Sequence, residues 1–460
     1  MSMPKKYREE NDTMGTMRVP DNAYYGPQTA RAAENFPISG LTLSKDFIRS
    51  LALLKKCAAR VNRELGLLEE EISQTISLAA QEVMDGKHDD QFIVDVFQTG
   101  SGTSTNMNMN EVIASRGNEI LTGNKGGKFP IHPNDHVNLG QSSNDIIPTT
   151  IHLATLFSME RRLIPALDSL YGELAKKASE FAAVKKIGRT HLQDAVPMRL
   201  GNEFSGYARQ IQQGIRRLQS VQDGLRELAL GGTAVGSGIN THPEFARQVI
   251  ELVSEHTGIS FKEAENHFEA QAAQDTAVET SGALKTVAVS LVKIANDIRW
   301  LSSGPRCGIG EITVPSLQPG SSIMPGKVNP VIPESVIQVA AQVMGNDTTI
   351  MLGGQFGNFE LNVMLPVIAY NLLQSVHLLS SAAGVFAEKC ISGIIANRET
   401  CESNIEKSLA MVTGLVPHIG YDRAAAIAKT AYETGKTVRE VAMEEKVLPE
   451  ETLNRVLEES

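Results

Sequence analysis

Apolar residues recur at steps of three and four over unusually long stretches in the middle of the chain. One stretch runs from Phe204 to Leu228 and a second from Leu284 to Leu301. A third runs from Leu153 to Phe181, and Pro165 inside it is expected to kink or restart the helix, because proline lacks an amide donor. Pro366 is expected to open a further helix. This period is typical of amphipathic helices, so the sequence predicts a mostly α fold.

The predicted helices are longer than a compact monomeric domain needs. A helix of roughly 30 residues spans about 45 Å, and such helices usually bundle across subunits. Domain boundaries are placed where the helical periodicity starts and stops. This gives an N-terminal mostly helical domain at 1–139, a central long-helix bundle at 140–395 and a small C-terminal helical domain at 396–460.

Composition and charge narrow the choice of partners. The 460 residues include 43 Lys and Arg against 53 Asp and Glu, a net charge of -10, which argues against nucleic-acid and anionic-membrane partners. The N-terminus is polar, and no apolar run is long enough to span a membrane, so we expect a cytoplasmic protein. Four scattered cysteines without a CxxC pair give no basis for a zinc or iron–sulfur site.

Loops rich in Gly, Ser, Thr and Asn separate the predicted helices. They occupy residues 100–110, 138–145, 187–197, 230–244 and 303–330. Hydroxyl, amide and backbone N–H donors bind carboxylates without many formal charges. Loops of this composition also serve as ordinary tight turns, so composition alone leaves both roles open.

Ser321 and Ser322 lie in a glycine-flanked segment that is interpreted either as a surface loop or as a flap carrying a reactive oxygen. A serine hydroxyl is too weak a base at neutral pH unless its alkoxide is stabilised, which Lys327 and backbone N–H groups would do. His191 is either a structural histidine or a proton-transfer group. Glu334 follows two prolines and falls in the first turn of a predicted helix, where the dipole favours a carboxylate.

Metal and nucleotide chemistry have weaker support. His132 and His136 are four residues apart and flank Asp135, but Pro133 interrupts a helix there and no third ligand is evident. The phosphate-binding pattern GxxxxGK[ST] and a dinucleotide GxGxxG after a strand are both absent from the sequence. We therefore expect no metal and no cofactor.

The segment GSSIMPGKVNP at 320–330 resembles the catalytic-loop motif of the fumarase/aspartase superfamily. Other motifs of the superfamily follow in its order along nearly the whole chain: GSGTSTNMNMNE, HPND, VNLGQSSND, GRTHLQDA, LGGTAVGSGINTHPE, SGPRCGIGEI and GNFELNV. His191, Gly326 and Ser143 look like class II fumarase, since aspartases characteristically have Gln, Ala and Thr there. The stretch 330–349 and the motif TGKTVREV look closer to aspartase.

This resemblance implies a three-domain, mostly helical subunit that forms a homotetramer with active sites shared by three subunits. The implied activity is the reversible hydration of fumarate to (S)-malate in the tricarboxylic acid cycle, by anti addition through an aci-carboxylate carbanion and without a metal or cofactor. Aspartate ammonia-lyase activity is the nearest alternative. A non-catalytic, crystallin-like homotetramer is the alternative of another class.

Site residues follow from the resemblance position by position. Ser321 matches the base that takes the C3 proton of malate, His191 belongs to the acid side, and Glu334 would pair with His191. Eleven residues of this chain match positions that line the substrate pocket in the superfamily: Ser101, Gly102, Thr103, Ser142, Ser143, Asn144, Thr190, Ser322, Lys327, Val328 and Asn329. A second dicarboxylate site matches His132, Pro133, Asn134 and Asp135.

Overall fold

The computed structural model describes residues 6–459 and confirms the predicted mostly α fold. In its first part the helices are α1 (Pro27–Asn35), α2 (Lys45–Glu64), α3 (Glu70–Met84), α4 (Thr103–Thr122), α5 (Ser143–Ser158) and α6 (Ile164–Glu180). The middle helices are α7 (Leu200–Ser220), α8 (Gln222–Arg226), α9 (Phe245–Thr257), α10 (His267–Ala272), α11 (Asp275–Leu301), α12 (Val331–Gly354) and α13 (Leu365–Lys389), of which α7, α11, α12 and α13 are long. Shorter helices follow: α14 (Arg398–Lys407), α15 (Val416–Ile419), α16 (Tyr421–Thr434), α17 (Val438–Glu444) and α18 (Glu450–Glu459).

The predicted long helices form where the periodicity places them, except that the stretch from Phe204 to Leu228 is a long helix only to Ser220 and continues as the short α8 and a strand at Glu227–Leu228. α11 has 27 residues, which at 1.5 Å per residue is about 40 Å. The stretch from Leu153 to Phe181 is interrupted by a π-helical turn at Met159–Leu163, after which α6 starts with Pro165 at its second position. Pro366 likewise stands at the second position of α13. Pro366 occupies the first turn of its helix, where its missing amide donor removes no helical hydrogen bond, whereas Pro165 directly follows the π-helical turn.

Short two-stranded sheets accompany the helices. The antiparallel pairs are β1 (Tyr7–Asp12) with β2 (Gly15–Pro20), β3 (Lys185–Thr190) with β4 (Gln193–Arg199), β7 (Ile312–Thr313) with β10 (Ile395–Ala396), and β8 (Gly357–Asn358) with β9 (Leu361–Asn362). The pair β5 (Glu227–Leu228) and β6 (Lys262–Glu263) is parallel. The prediction of a loop at 187–197 is therefore wrong in part, because most of this segment forms the β3–β4 hairpin.

The chain divides into two compact units. The first comprises the chain up to Pro165, Arg216–Ala288 and Ala340–Ser380. Its core includes the fully buried side chains of Phe47, Leu51 and Ile113. The apolar stripe of α2 supplies the first two, as the helical period requires. The predicted boundaries near 139 and 395 stay predictions.

The second unit comprises Ala166–Ile215, Val289–Val339 and Ser381–Ser460. Phe181 and Phe204 pack edge to face in its core, with ring centres 5.2 Å apart. The helices after Asn397 bury a separate apolar cluster that includes Leu415, Ile427 and Leu453. Among the helices at 6–459, none combines the length and apolar character needed to cross a bilayer.

Candidate active site

Two helix N-termini bring three hydroxyl groups together in the first unit. Ser101 Oγ lies 2.8 Å from Thr103 Oγ1, which lies 2.6 Å from Ser143 Oγ. Thr103 begins α4 and Ser143 begins α5. Free backbone N–H groups and the helix dipole make such termini favourable for anions. The structure thus places together hydroxyls from two of the loops that the sequence singled out.

The start of α5 is fixed by a capping box. The Ser142 hydroxyl accepts from Asn144 N at 3.3 Å, and Asp145 accepts from Ser142 N at 2.9 Å. Asp145 is fully buried and also accepts from the backbone N–H groups of Gly231 and Thr233. Burial raises the pKa of Asp145, and these N–H groups oppose that shift. This carboxylate joins the 230–233 segment to the Ser142–Asn144 segment.

Glycines are required where the GSGT loop meets its surroundings. Gly102 caps α4 with a φ of 73°, in the left-handed region that other residues rarely adopt. A Cβ at Gly100 would lie 1.8 Å from the carbonyl oxygen of Val363. The Gly100 carbonyl also accepts from Leu365 N at 3.0 Å. These contacts hold the GSGT loop against the end of the GNFELNV segment.

Lys55 is a site-supporting residue that the sequence reasoning missed. It lies on α2, is fully buried, and donates from Nζ to Asn138 Oδ1 at 3.0 Å and to Gln141 Oε1 at 2.9 Å. Asn138 Oδ1 also accepts from the side chains of Asn106 and Asn110 on α4, each at 3.1 Å. Lys55 therefore fixes the turn that precedes Ser142. Burial lowers the pKa of Lys55 to about 7, and the Asp145 carboxylate opposes this shift.

In the second unit, Ser321 lies in a loop that folds back on itself. Gly320 N donates to Lys327 O at 2.8 Å, and Asn329 Nδ2 donates to Gly320 O at 2.7 Å. The loop borders an open cleft of about 460 Å³ that Ser321 and Lys327 help to line. Ser322 and Val328 are exposed on the same loop.

The Ser321 hydroxyl is oriented by its own loop. Its Oγ accepts from the backbone N–H groups of Ile323 at 3.2 Å and Met324 at 3.0 Å. Hydrogen bonds from donors favour the anionic form of an oxygen acid. This geometry supplies the N–H stabilisation that a serine base needs.

His191 stands at the exposed tip of the β3–β4 hairpin. Thr190 pairs with Gln193, so His191 and Leu192 form a two-residue turn with φ angles of 56° and 59°. Turns of this kind normally contain Asn and Gly, because both central residues need a positive φ. Strained backbone conformations of this type cluster at functional sites and persist where surrounding structure enforces them.

Three charged or titratable candidates have free side chains. Glu334 lies in the first turn of α12, as predicted. Across residues 6–459, the side chains of His191, Lys327 and Glu334 form no hydrogen bond or ion pair within the chain. The predicted pairing of His191 with Glu334 is therefore absent within one chain.

The second predicted dicarboxylate segment forms a π-helical turn at Pro133–Val137. His132 Nδ1 accepts from the backbone N–H groups of Asn134 and Asp135, each at 3.1 Å. Burial lowers the pKa of His132, and because Nδ1 accepts both bonds, a neutral ring carries its proton on Nε2. Within residues 6–459, no group of three or more His, Cys, Asp and Glu side chains is arranged to hold a metal ion.

The chain is similar to known proteins over nearly its whole length. The family model described as Lyase matches residues 15–345, and the model described as Fumarase C C-terminus matches residues 411–459. The chain is 54% identical to the class II fumarate hydratase of Nitrosomonas europaea over 95% of each chain. It is also 54% identical to that of Halobacterium salinarum, over 99% of this chain and 97% of the relative. The class II fumarase structure from Schistosoma mansoni superposes with a TM-score of 0.95 at 42% identity and 98% coverage of both chains.

Proposed function

The chain belongs to the class II fumarate hydratase family and is a hydro-lyase, and we propose that Ser321 and His191 carry its reversible hydration of fumarate to (S)-malate. The two alternatives, aspartate ammonia-lyase and a crystallin-like structural protein, are not favoured, since the relatives at 54% identity are fumarate hydratases. The observation that carries the catalytic assignment is the pair of N–H donors on Ser321 Oγ.

Proton removal is the first step in the direction of fumarate formation. The Ser321 oxygen takes the proton from C3 of malate, and the electron pair left on carbon spreads into the neighbouring carboxylate as an aci-carboxylate. This dianionic group needs electrostatic stabilisation, which Lys327 and converging neutral donors supply. A single donor of this kind typically contributes about 2.7–4 kcal/mol to the barrier.

Loss of the hydroxyl completes the reaction. The C2–O bond breaks as the electron pair forms the double bond, and His191 delivers a proton so that the hydroxyl departs as water. Glu334 is proposed to hold the imidazole in orientation. The products are fumarate and one water molecule. The proton on Ser321 is released to solvent, and the imidazole of His191 takes a proton back from solvent. These steps use only side chains and water, so the proposal includes no metal or cofactor.

Substrate binding is assigned to the polar loops. The hydroxyls of Ser101, Thr103 and Ser143 meet at two helix N-termini, a setting suited to a carboxylate. The remaining assigned residues are Gly102, Ser142, Asn144, Thr190, Ser322, Val328 and Asn329. We place a second dicarboxylate site at His132–Asp135, where the free His132 Nε2–H supports binding of an anion.

Sharing of each site by three subunits of a homotetramer is part of the proposal. The unpaired side chains of His191, Lys327 and Glu334 support partners from other chains. The 351–363 segment exposes large apolar side chains that a second copy would cover: Met351, Leu352, Phe356, Phe359 and Val363. We further propose a cytoplasmic location and a role in the tricarboxylic acid cycle.

A direct assay tests the reaction. Fumarate formation from malate and from aspartate is followed by ultraviolet absorbance on the purified protein, with the pH and the protein concentration held equal. We expect fumarate from malate only. Faster fumarate release from aspartate would indicate an ammonia-lyase. No release from either substrate by a properly assembled protein would favour a structural role.

A further inference from the structure

A buried cluster of charges lies at the base of the hairpin that carries His191. Arg189 donates from Nη1 and Nη2 to the two carboxylate oxygens of Glu311 at 3.0 and 2.9 Å. Lys186 Nζ lies 3.1 Å from Glu311 and 2.7 Å from Glu203. Glu311 and Lys186 are completely buried. The cluster therefore joins β3 to the segment just before β7.

Stability alone gives little reason for this cluster. Taking charges out of water is costly, and replacing a buried ion pair by well-packed apolar residues is often neutral or stabilising. A two-point contact between a guanidinium and a carboxylate does provide geometric specificity. The arrangement thus favours a role in fixing the position of β3.

The tip of the hairpin has little else to hold it within the chain. The side chains at residues 190–194 are exposed, and the turn residues His191 and Leu192 have positive φ angles. The pairing of β3 with β4 shifts register between Ile187 and Arg189, so the strand is irregular just below the tip. A strained turn on an irregular strand needs an anchor near it, and Arg189 is two residues from His191.

Glu311 is itself held rigidly. Its backbone N–H donates to Leu301 O at 2.9 Å, and its backbone carbonyl accepts from Asn397 N at 2.9 Å. Asn404 on α14 donates to its carboxylate at 3.3 Å. Contacts from α11 and α14 thus fix the position of Glu311, whose carboxylate accepts both hydrogen bonds from Arg189.

We propose that Glu311 is a positioning residue for His191, acting through Arg189 to hold the imidazole where it delivers its proton. This inference rests on the proposed function of His191. Glu311 does not touch the substrate in this role. Loss of Glu311 is expected to lower turnover, because a displacement of the His191 imidazole by about 1 Å from its productive position costs on the order of 100-fold in rate.

The test compares Glu311→Gln and Arg189→Lys with Glu406→Gln in the full-length enzyme. Glu406 receives the same two-point contact from Arg439 at 2.7 and 3.2 Å, but it lies beside the base of the hairpin at Lys185 and Arg199 and not at the Arg189 contact below the tip. We expect Glu311→Gln to lower kcat roughly 10- to 100-fold with KM nearly unchanged. Arg189→Lys keeps the charge but loses the planar fork, so its loss is expected to be smaller. Glu406→Gln is expected to retain kcat.

Two further readouts separate positioning from general destabilisation. Hydrogen exchange is expected to accelerate in residues 189–194 of Glu311→Gln and to stay unchanged there in Glu406→Gln. In a His191→Asn background, Glu311→Gln is expected to cause no further loss of kcat, because both changes remove the same contribution. Equal losses in both backgrounds would overturn the proposal.

The remaining outcomes are also decisive. Wild-type kcat in both Glu311→Gln and Arg189→Lys would overturn the inference while leaving the role of His191 intact. Near-normal kcat in His191→Asn alone would instead remove His191 from the proposed mechanism. If Glu311→Gln fails to fold, the kcat and exchange of Arg189→Lys decide the question.

Discussion

Thr103 Oγ1 and Ser143 Oγ lie 2.6 Å apart although 40 positions separate them in the sequence. The contact joins the first residues of α4 and α5, so two helix N-termini face the same small volume. Together the two N-termini present more hydroxyl and backbone N–H donors than either helix alone, and they do so without a formal charge.

Replacing Thr103 by Val removes this hydroxyl with little change in volume. We expect KM for malate to rise roughly tenfold or more, because a hydrogen bond to a charged group contributes about 1.5–3 kcal/mol. Steady-state kinetics in both directions measure the effect. Thr434→Val is the matched control, since the Thr434 hydroxyl bonds only to its own helix at Thr430 O. An unchanged KM in Thr103→Val would remove Thr103 from the binding site.

Ser321→Ala removes the proposed base and little else. The side chain is only partly buried, and its hydrogen bonds lie within its own loop, so the free energy of unfolding is expected to change by about 0.5 kcal/mol or less. We expect kcat to fall on the order of 100-fold or more, the usual contribution of a positioned general base. Near-normal turnover would contradict the assignment.

Ser322→Ala provides the comparison for this result. It removes the neighbouring hydroxyl, which is exposed and assigned to binding. Its expected effect is a higher KM with a smaller loss of kcat. Melting temperatures of both variants establish that the loop change leaves the fold intact.

The helical framework was predictable because burial follows the helical period. Leu284, Leu291 and Ile298 recur at multiples of seven residues and are all buried in α11. The β3–β4 hairpin was not predictable in the same way. Its turn carries His191 and Leu192, whereas the usual signal for a two-residue turn is Asn and Gly.

The site was predictable in its residue types and much less in its arrangement. Periodicity carries no information about a contact such as Thr103 with Ser143, so only the resemblance grouped these loops. Lys55 was missed because a lysine is ordinarily assigned to a solvated face. Its position four residues after the buried Leu51 was an available signal, since that spacing places Lys55 on the apolar stripe of α2. Glu311 had no comparable signal, because it lies in an irregular segment.

Leu192→Asn is expected to stabilise the β3–β4 hairpin. Leu192 is 61% exposed and has a φ of 59°, a conformation that Asn tolerates far better than Leu. Relief of this strain is expected to contribute about 1 kcal/mol to the local free energy of opening. Slower hydrogen exchange in residues 185–199 would show the effect. Val196→Asn is the control on β4, where Val196 is exposed at 52% and has no positive φ to relieve. Faster hydrogen exchange in Leu192→Asn would contradict the proposal that the positive φ of Leu192 strains the turn.

Lys55 gives the protein a pH dependence with a definite sign. Burial lowers the pKa of Lys55 from 10.5 to about 7 in the folded state. Between these two pH values the unfolded chain holds a proton that the folded chain lacks, so the free energy of unfolding rises with pH. The cost of burying the ammonium is fully present below pH 7 and fades as the pH approaches 10.5.

Lys55→Met removes this titration together with the contacts to Asn138 and Gln141. The difference in thermal midpoint between wild type and Lys55→Met is therefore expected to move in favour of wild type as the pH rises from about 7 towards 10.5. Lys56→Met is the control, because Lys56 is the next residue on the same helix and bonds only to Gln81 Oε1 at 2.8 Å. It removes a neighbouring lysine and leaves the buried Lys55 in place, so the pH-dependent contribution of Lys55 is expected to be the same in Lys56→Met and in wild type. If the difference in thermal midpoint between wild type and Lys55→Met instead stays constant over this pH range, Lys55 remains protonated. The hydrogen bonds to the amide oxygens of Asn138 and Gln141 would then stabilise the ammonium more than its burial destabilises it.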